Sequence, residues 1–220
     1  MGQHIEMTSD GSHTVYSEQF QANYHSTHGS IQESKTVFLE NGLMHSQLDS
    51  IDVLEIGFGT GLNAALTFDF VQSHSKKVNY MGIEKYPISM ELVSELNYHT
   101  FFTHAQTQKG LIHLHQTRQL DWHEQQSSFH AKVQIEDVHE INFSDAFDVI
   151  YFDAFAPSVQ ESLWQVPFLK KMFNALRHDG ILTTYCAQGQ FKRNLKEVGF
   201  QIEALPGPTG KREMTRAIKV

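Results

Sequence analysis

The chain holds 220 residues, 40% hydrophobic and 11% aromatic, with 17 Lys and Arg against 25 Asp and Glu for a formal net charge of −8. This length suits one α/β domain with an extension; the charge argues against bulk electrostatic attachment to nucleic acid, and the single cysteine, Cys186, excludes an internal disulfide or a thiolate-rich metal site. No apolar run approaches the length of a membrane span and no charged-then-apolar leader is read, so a soluble, cytoplasmic protein without membrane or metal is expected.

Residues 1–50 differ from the rest and read as an extension packed on the main domain, residues 51–220. Within "IEMTSDGSHTVYS" two strand-like runs flank Asp10-Gly11, a hairpin signal. The polar stretch that follows carries Phe20, Tyr24 and Phe38 and predicts a short helix. From residue 51 strands and helices alternate: "IDVLEI" is a strand, "GLNAALTFDFVQS" a helix, "VNYMGI" a strand, and "PISMELVSELNYH" a helix with Pro87 in its first turn. Residues 99–130 have no clear period. Then come strands "AKVQI" and "FDVIYF", a helix over "SLWQVPFLKKMFNALRHDG" ending at Gly180, strand "ILTTYC", helix "QFKRNLKEVG", and closing strands "FQIEAL" and "MTRAIKV". This order predicts a Rossmann-like α/β fold. Its sheet should have seven strands, mostly parallel, with one antiparallel strand near the edge because the last two strands lack a crossover.

In such sheets ligands bind beyond the carboxyl ends of strands, and four candidate stretches lie there. "VLEIGFGTGLN" places Gly57, Gly59 and Gly61 in a tight turn, with Leu62 where a dinucleotide fingerprint wants its third glycine. Glu55 before the turn would repel a pyrophosphate but could orient an amino-acid ammonium, which favours S-adenosylmethionine over NAD. Glu84, at the end of the next strand, could accept ribose hydroxyls, although a strand-end glutamate is often merely solvated. Asp137 follows strand 131–135 and could receive the adenine amino group. Asp153 ends strand 148–152 in "VIYFDAFAPS", where a carboxylate can hold an incoming amine and take its proton; a turn-forming aspartate is the plainer alternative. Phe155 and Trp164 follow closely, as aromatic walls for a flat substrate or as core residues.

The 14 histidines show no HExxH-like spacing and read as scattered surface residues rather than a zinc site. Cys186 lies in an apolar strand and reads as small packing. Residues 165–220 carry ten of the 17 basic residues and four of the 25 acidic ones, so the C-terminal quarter could present a local phosphate-binding face.

Read together, "DGSHTVYSEQFQANYHSTHGSIQES", "LEIGFGTGLN", "IEKYP", "FDAFAPS", "TTYCAQG" and "PGPTGKREM" resemble the tRNA 5-methylaminomethyl-2-thiouridine methyltransferases of the MnmC/MnmD type. The resemblance implies a methyltransferase that uses S-adenosylmethionine to methylate an aminomethyl group on wobble uridine in the tRNA anticodon loop. Family members occur fused to an FAD-dependent oxidase or alone, and this chain is expected to act alone, coupled in function to the enzymes that install the aminomethyl group. The cofactor set it implies is Glu55, Gly57, Phe58, Gly59, Gly61, Asn63, Glu84, Lys85 and Asp137, with Asp153 catalytic. Tyr24, Glu33, Phe155 and Trp164 are expected on the substrate side, and Lys211 and Arg212 against phosphates, with Lys192 and Arg193 nearby. Glu136 departs from the glycine expected before Asp137, and Cys186 from a serine. Two other readings keep the cofactor residues: an N-methyltransferase of a small-molecule amine, and a catalytically silent cofactor-binding partner of a tRNA-modifying enzyme.

Overall fold

The computed structural model describes residues 2–220. Strands β1 (Gln3–Met7) and β2 (His13–Ser17) form the expected antiparallel hairpin around Asp10-Gly11, and β3 (Ala22–Asn23) adds to β2. The short helix α1 (Ser30–Ser34) continues as a π-helical turn, Lys35–Glu40, which buries Val37 and Phe38 on the main sheet.

The main sheet has eight strands rather than seven. In chain order they are β4 (Ser50–Ile56), β5 (Lys77–Glu84), β6 (Gln119–Glu124), β7 (Ser127–Ile135), β8 (Phe147–Phe152), β9 (Leu176–Thr184), β10 (Phe200–Pro206) and β11 (Glu213–Lys219). They lie in the spatial order β10-β11-β9-β8-β4-β5-β7-β6. The five strands from β9 to β7 are parallel; β11 and β6 each run against their inner neighbour, so two strands are reversed where one was expected. The extra strand, β6, comes from the aperiodic stretch 99–130, which also holds α4 (Ala105–Thr117). Its turn to β7 uses Gln125 at a φ of 52° in place of a glycine or asparagine, so no turn signal marks it.

Helices α2 (Leu62–Val71), α3 (Met90–Glu95), α4, α5 (Val166–Ala175) and α6 (Gly189–Val198) cover the two faces. Helix α2 is buried on nearly every side, so its sequence is apolar all round. Helix α6 buries Phe191, Leu195 and Val198 at helical spacing while Arg193 and Lys196 face water, and Gly199 caps it at a φ of 118°. Three expected boundaries shift. Helix α5 ends at Ala175 rather than Gly180, because residues 176–180 already form a bulged start to β9. Its beginning moves too: residues 161–164 are a 3-10 turn, and α5 proper starts at Val166 beside Pro167. Pro87 lies outside α3, which Ser89 caps by accepting from the Leu92 N–H at 3.4 Å.

This topology positions the site. From β4 the chain first builds outward through β5 and β7, then returns to the other side of β4 as β8, leaving a switch point between β4 and β8. Two hydrophobic layers sandwich the sheet there: Phe152, Trp164, Phe168 and Leu169 on one face, and Phe38, Phe68, Tyr80 and Phe129 on the other. Each such burial contributes about 1.5–3 kcal/mol. Among the described residues, no helix is long and apolar enough to cross a membrane.

Candidate active site

At the switch point the chain leaves β4 through Gly57, whose N–H and that of Phe58 both donate to the Ile83 carbonyl at 3.1 Å. Gly57 has a φ of 87°, and a Cβ there would lie 2.7 Å from the backbone oxygen of Asp153. Gly59, at a φ of 51°, lies so close under Tyr24 that a Cβ would approach its ring to 2.8 Å. The two glycines therefore answer to positive φ and close approach together. Thr60 anchors the loop: its hydroxyl meets His25 Nε2 at 2.7 Å and receives the Tyr98 hydroxyl at 3.2 Å, while its carbonyl meets His115 Nε2 at 3.0 Å. His25 and His115 are thus buried clamps on the glycine loop, which corrects the expectation of surface histidines for these two. Burial pushes each of them down to about 4, with the nearby charge of Lys211 adding to the effect at His25.

Beside this loop opens a cavity of about 340 Å³. Gly57, Phe58, Gly59, Glu84, Lys85 and Asp137 line it, together with Asp153 and Phe155. Glu84 is 8% exposed; its two oxygens accept from the Gly59 N–H at 2.8 Å and the Tyr86 N–H at 2.6 Å. Desolvation raises its pKa against those backbone hydrogen bonds. Asp137 closes the far end, accepting from Lys85 Nζ at 2.7 Å and the His139 N–H at 2.9 Å, and these bonds lower its pKa.

Asp153 lies half-buried on the cavity wall, just beyond β8, with its N–H donating to the Ile56 carbonyl at 3.0 Å. Desolvation first, then the charge of Glu33, pushes its carboxyl up to about 7, against a hydrogen bond from Asn63 and the charge of Lys211. The Asn63 amide bridges two acids: it donates to Asp153 Oδ2 at 2.7 Å and to Glu55 Oε1 at 2.8 Å. Glu55 is fully buried, and burial together with the Asp153 charge raises its pKa well above the ordinary value. It does not line the cavity, nor do Gly61 and Asn63. Glu55, expected to orient a ligand ammonium directly or through water, instead reaches the cavity wall through Asn63, which it shares with Asp153. Glu55 Oε2 and Asn63 Oδ1 remain buried without a partner.

The substrate-side expectations divide. Tyr24 and Phe155 wall the cavity edge-to-face, with ring centroids 5.1 Å apart. Phe20, whose role the sequence left unread, stacks on Phe155 at 4.6 Å and meets Tyr86 at 5.7 Å, so the N-terminal segment roofs the opening. Trp164 corrects the expectation of an aromatic wall. It is 2% exposed, packs edge-on to Phe152 and Phe191 at 4.9 Å, and donates its Nε1–H to the Phe155 carbonyl at 2.9 Å. It supports Phe155 from the core and touches no open space.

Glu33 is 5% exposed and accepts from the Ser26 N–H at 3.1 Å and from the ammonium of Lys211. Lys211 therefore points inward, with its Nζ 4.1 Å from the centre of the Tyr185 ring, rather than outward as a free phosphate contact. Arg212 and Arg193 are exposed, and Lys192 pairs with Glu213 at 2.8 Å. Cys186 is 4% exposed and packs in the core. Among the described residues, no group of three or more His, Cys, Asp and Glu is arranged to hold a metal ion.

A family model described as S-adenosyl-L-methionine-dependent methyltransferase matches residues 99–220. Among curated proteins, the chain is 25% identical over 94% of its length to the tRNA 5-methylaminomethyl-2-thiouridine biosynthesis bifunctional protein MnmC of Actinobacillus pleuropneumoniae serotype 5b, covering 34% of that relative. To the protein of the same name from Cupriavidus necator it is 29% identical over 92% of its length, covering 32% of the relative. The chain thus spans about a third of the length of these relatives. Among solved structures, MNMC2 from Aquifex aeolicus superposes with a TM-score of 0.78 at 23% identity, over all of this chain and 70% of that one. A probable spermidine synthase from Corynebacterium glutamicum gives a TM-score of 0.54 at 15% identity, covering 99% of this chain and 77% of the other. These two superpositions carry the fold.

Proposed function

The chain belongs to the S-adenosyl-L-methionine-dependent methyltransferase family, and from that premise we propose that it methylates the 5-aminomethyl group of wobble uridine in tRNA, making 5-methylaminomethyl-2-thiouridine from 5-aminomethyl-2-thiouridine. One observation carries the reading: a carboxyl poised near neutrality, Asp153, on the wall of the cavity and next to the glycine loop. The names of the relatives that match nearly the whole chain agree with it. Residues 51–220 would form the methyltransferase domain, with residues 1–50 an extension that roofs the cavity.

The residues present fit the donor. The cavity lies within the usual range for a small-molecule site. Its glycine turn admits a ligand close to the backbone, and the Glu84 carboxylate keeps free lone pairs for a ribose. Gly57, Phe58, Gly59, Glu84, Lys85 and Asp137 would hold the donor. Bound there, S-adenosylmethionine supplies an electrophilic methyl group on a sulfonium.

The protein's own task is alignment and proton handling. An alkyl amine arrives protonated near pH 7 and has no lone pair until it sheds a proton. Asp153, with a carboxyl near 7, is ionised often enough near neutral pH to take that proton as the amine's lone pair turns to the methyl group. The Asn63 bond fixes Oδ2, leaving Oδ1 to face the amine. Phe155 and Phe20 offer the stacking surface that a splayed anticodon base needs. Exposed Arg212, Arg193 and Lys196 supply local positive charge for the anticodon loop, despite the acidic whole. Such an enzyme would work in the cytoplasm, alongside those that install the aminomethyl group.

The test is mass spectrometry of nucleosides from tRNA bearing 5-aminomethyluridine, incubated with the protein and S-adenosylmethionine. A nucleoside one methyl heavier, lost with Asp153→Ala, is expected. No methylation of that tRNA, with donor binding demonstrated, would move the reading to a small-molecule amine acceptor.

A further inference from the structure

The most unusual group near the site is the inward-pointing ammonium of Lys211. It lies between the Glu33 carboxylate and the face of Tyr185, in reach of the Asp153 charge. The parts that surround it are held without its help. The Ser26 N–H fixes Glu33 at 3.1 Å, and the Tyr185 hydroxyl donates to the Ala154 carbonyl, one residue past Asp153, at 2.8 Å. The Glu33 carboxylate and the Tyr185 face, with the Asp153 charge nearby, make a setting suited to a primary ammonium.

The lysine itself comes from a different part of the chain. It sits on the turn of residues 207–212 between β10 and β11, where Gly210 has a φ of 84°. That turn meets the N-terminal segment through the Thr209 N–H, which donates to Gln32 Oε1 at 3.0 Å, and through Gly210, which packs against the His28 ring, besides the Lys211–Glu33 pair. None of Glu33, Lys211 and Tyr185 lines the cavity assigned to the donor, although Asp153 does. Asp153 is thus the residue shared by the donor cavity and the surroundings of the ammonium, the place where an acceptor amine and the donor would meet.

We propose that Glu33, Tyr185 and Asp153 form the ammonium-binding box for the acceptor, and that Lys211 is its resident stand-in, displaced by the acceptor's own primary ammonium. The inference rests on the amine-methylating reading above. Its selectivity follows from burial. Glu33 is almost fully enclosed, and removing its cation without a replacement would leave a buried charge unpaired, which is strongly destabilising. A neutral group cannot therefore push Lys211 out, and a group carrying a carboxylate would meet Glu33 with like charge. Only a cationic acceptor exchanges evenly. The box thus sorts aminomethyl from hydroxymethyl and carboxymethylaminomethyl acceptors before any methyl moves.

The experiment is calorimetric titration of the full chain, loaded with S-adenosylhomocysteine, with three probes: 5-aminomethyluridine, its neutral counterpart 5-hydroxymethyluridine, and propylammonium. Lys211→Ala vacates the box; Lys211→Gln does so while keeping a hydrogen bond for Glu33, and serves if the alanine variant fails to fold. Both lysine variants are expected to bind the two amines about tenfold more tightly than the wild type, since no resident cation has to leave. Glu33→Gln is expected to weaken both amines about tenfold, and 5-hydroxymethyluridine should respond to neither change. Amine binding that is unchanged or weaker in the Lys211 variants would overturn the proposal, because lysine would then be a partner of the acceptor and not its substitute. If propylammonium follows the expected pattern while 5-aminomethyluridine binds to no variant, the box stands and the uridine reading fails.

Discussion

Replacing Asp153 by asparagine keeps its shape and removes its titration, which makes its electrostatic cost measurable apart from catalysis. The folded carboxyl is raised from 3.8 to about 7, chiefly by desolvation. An acid raised in this way favours the folded state while protonated. That contribution is full below about 4 and is lost as pH rises through about 7. Over the whole window it amounts to about 4 kcal/mol, at about 1.4 kcal/mol per pH unit of displacement, and most of the loss falls between pH 5 and 8. Asp153 faces a cavity and is only half-buried, so water there screens part of the penalty, and about 1–3 kcal/mol is the loss expected between those two pH values. Urea denaturation at pH 5 and pH 8 should show wild-type stability falling by that much more than the stability of Asp153→Asn. Glu84 is also raised, but it titrates in both proteins and cancels in the comparison; Glu55 is raised partly by the Asp153 charge, so its own shift relaxes in the variant and widens the difference in the same direction. Equal declines in the two proteins would refute the reasoning, as would a steeper decline in the variant.

Gly57→Ala should lower thermal stability and abolish donor binding in calorimetry: the positive φ costs about 1–2 kcal/mol, and the new Cβ meets the Asp153 backbone, which cannot yield as a side chain would. A variant that binds the donor normally would contradict the close approach described for this turn. His25 and His115 are held neutral to about 4, against an unfolded value of 6.5. Their contribution is present above pH 6.5 and is lost as pH falls toward 4, by up to about 3 kcal/mol each. His25→Gln with His115→Gln should therefore flatten the acid side of the stability profile; an unaltered acid limb would show that the clamps on Thr60 do not titrate as described.

The parts of the fold visible in the sequence were those with strong local codes. Strands β4 and β8 are buried on both faces and so read as apolar runs broken only by Asp52 and Glu55 in β4 and Asp148 in β8, and the glycine turn follows β4 directly. Strand β6 was invisible because its alternation of Leu120 and Trp122 with polar residues spans only six positions and ends in a turn without glycine. The end of α5 was misplaced because Asp179-Gly180 resembles a helix stop but belongs to a bulge in β9. In the site, residues on strand ends could be placed by topology alone, which is how Glu84, Asp137 and Asp153 were found. Trp164 could not be sorted into wall or core, since an aromatic residue after a strand serves either equally well. Residues brought in from elsewhere in the chain, Phe20 and His25, carry no local mark of their destination. Lys211 was noticed for its charge, but its inward direction depends on Glu33, which is 178 positions away.

That separation has a consequence for the newly made chain. At roughly 5–20 residues per second, the ribosome needs roughly 9–36 s after adding Glu33 before it reaches Lys211. Through that interval the central strands of the sheet can be assembled in order, but the acidic pocket has no cation of its own. A growing polypeptide therefore carries the glycine turn and Asp153 well before the turn that seals their neighbourhood exists. This corner is completed only after the central strands have been made, and a nascent protein halted before Lys211 would hold those strands while leaving Glu33 without its counter-charge.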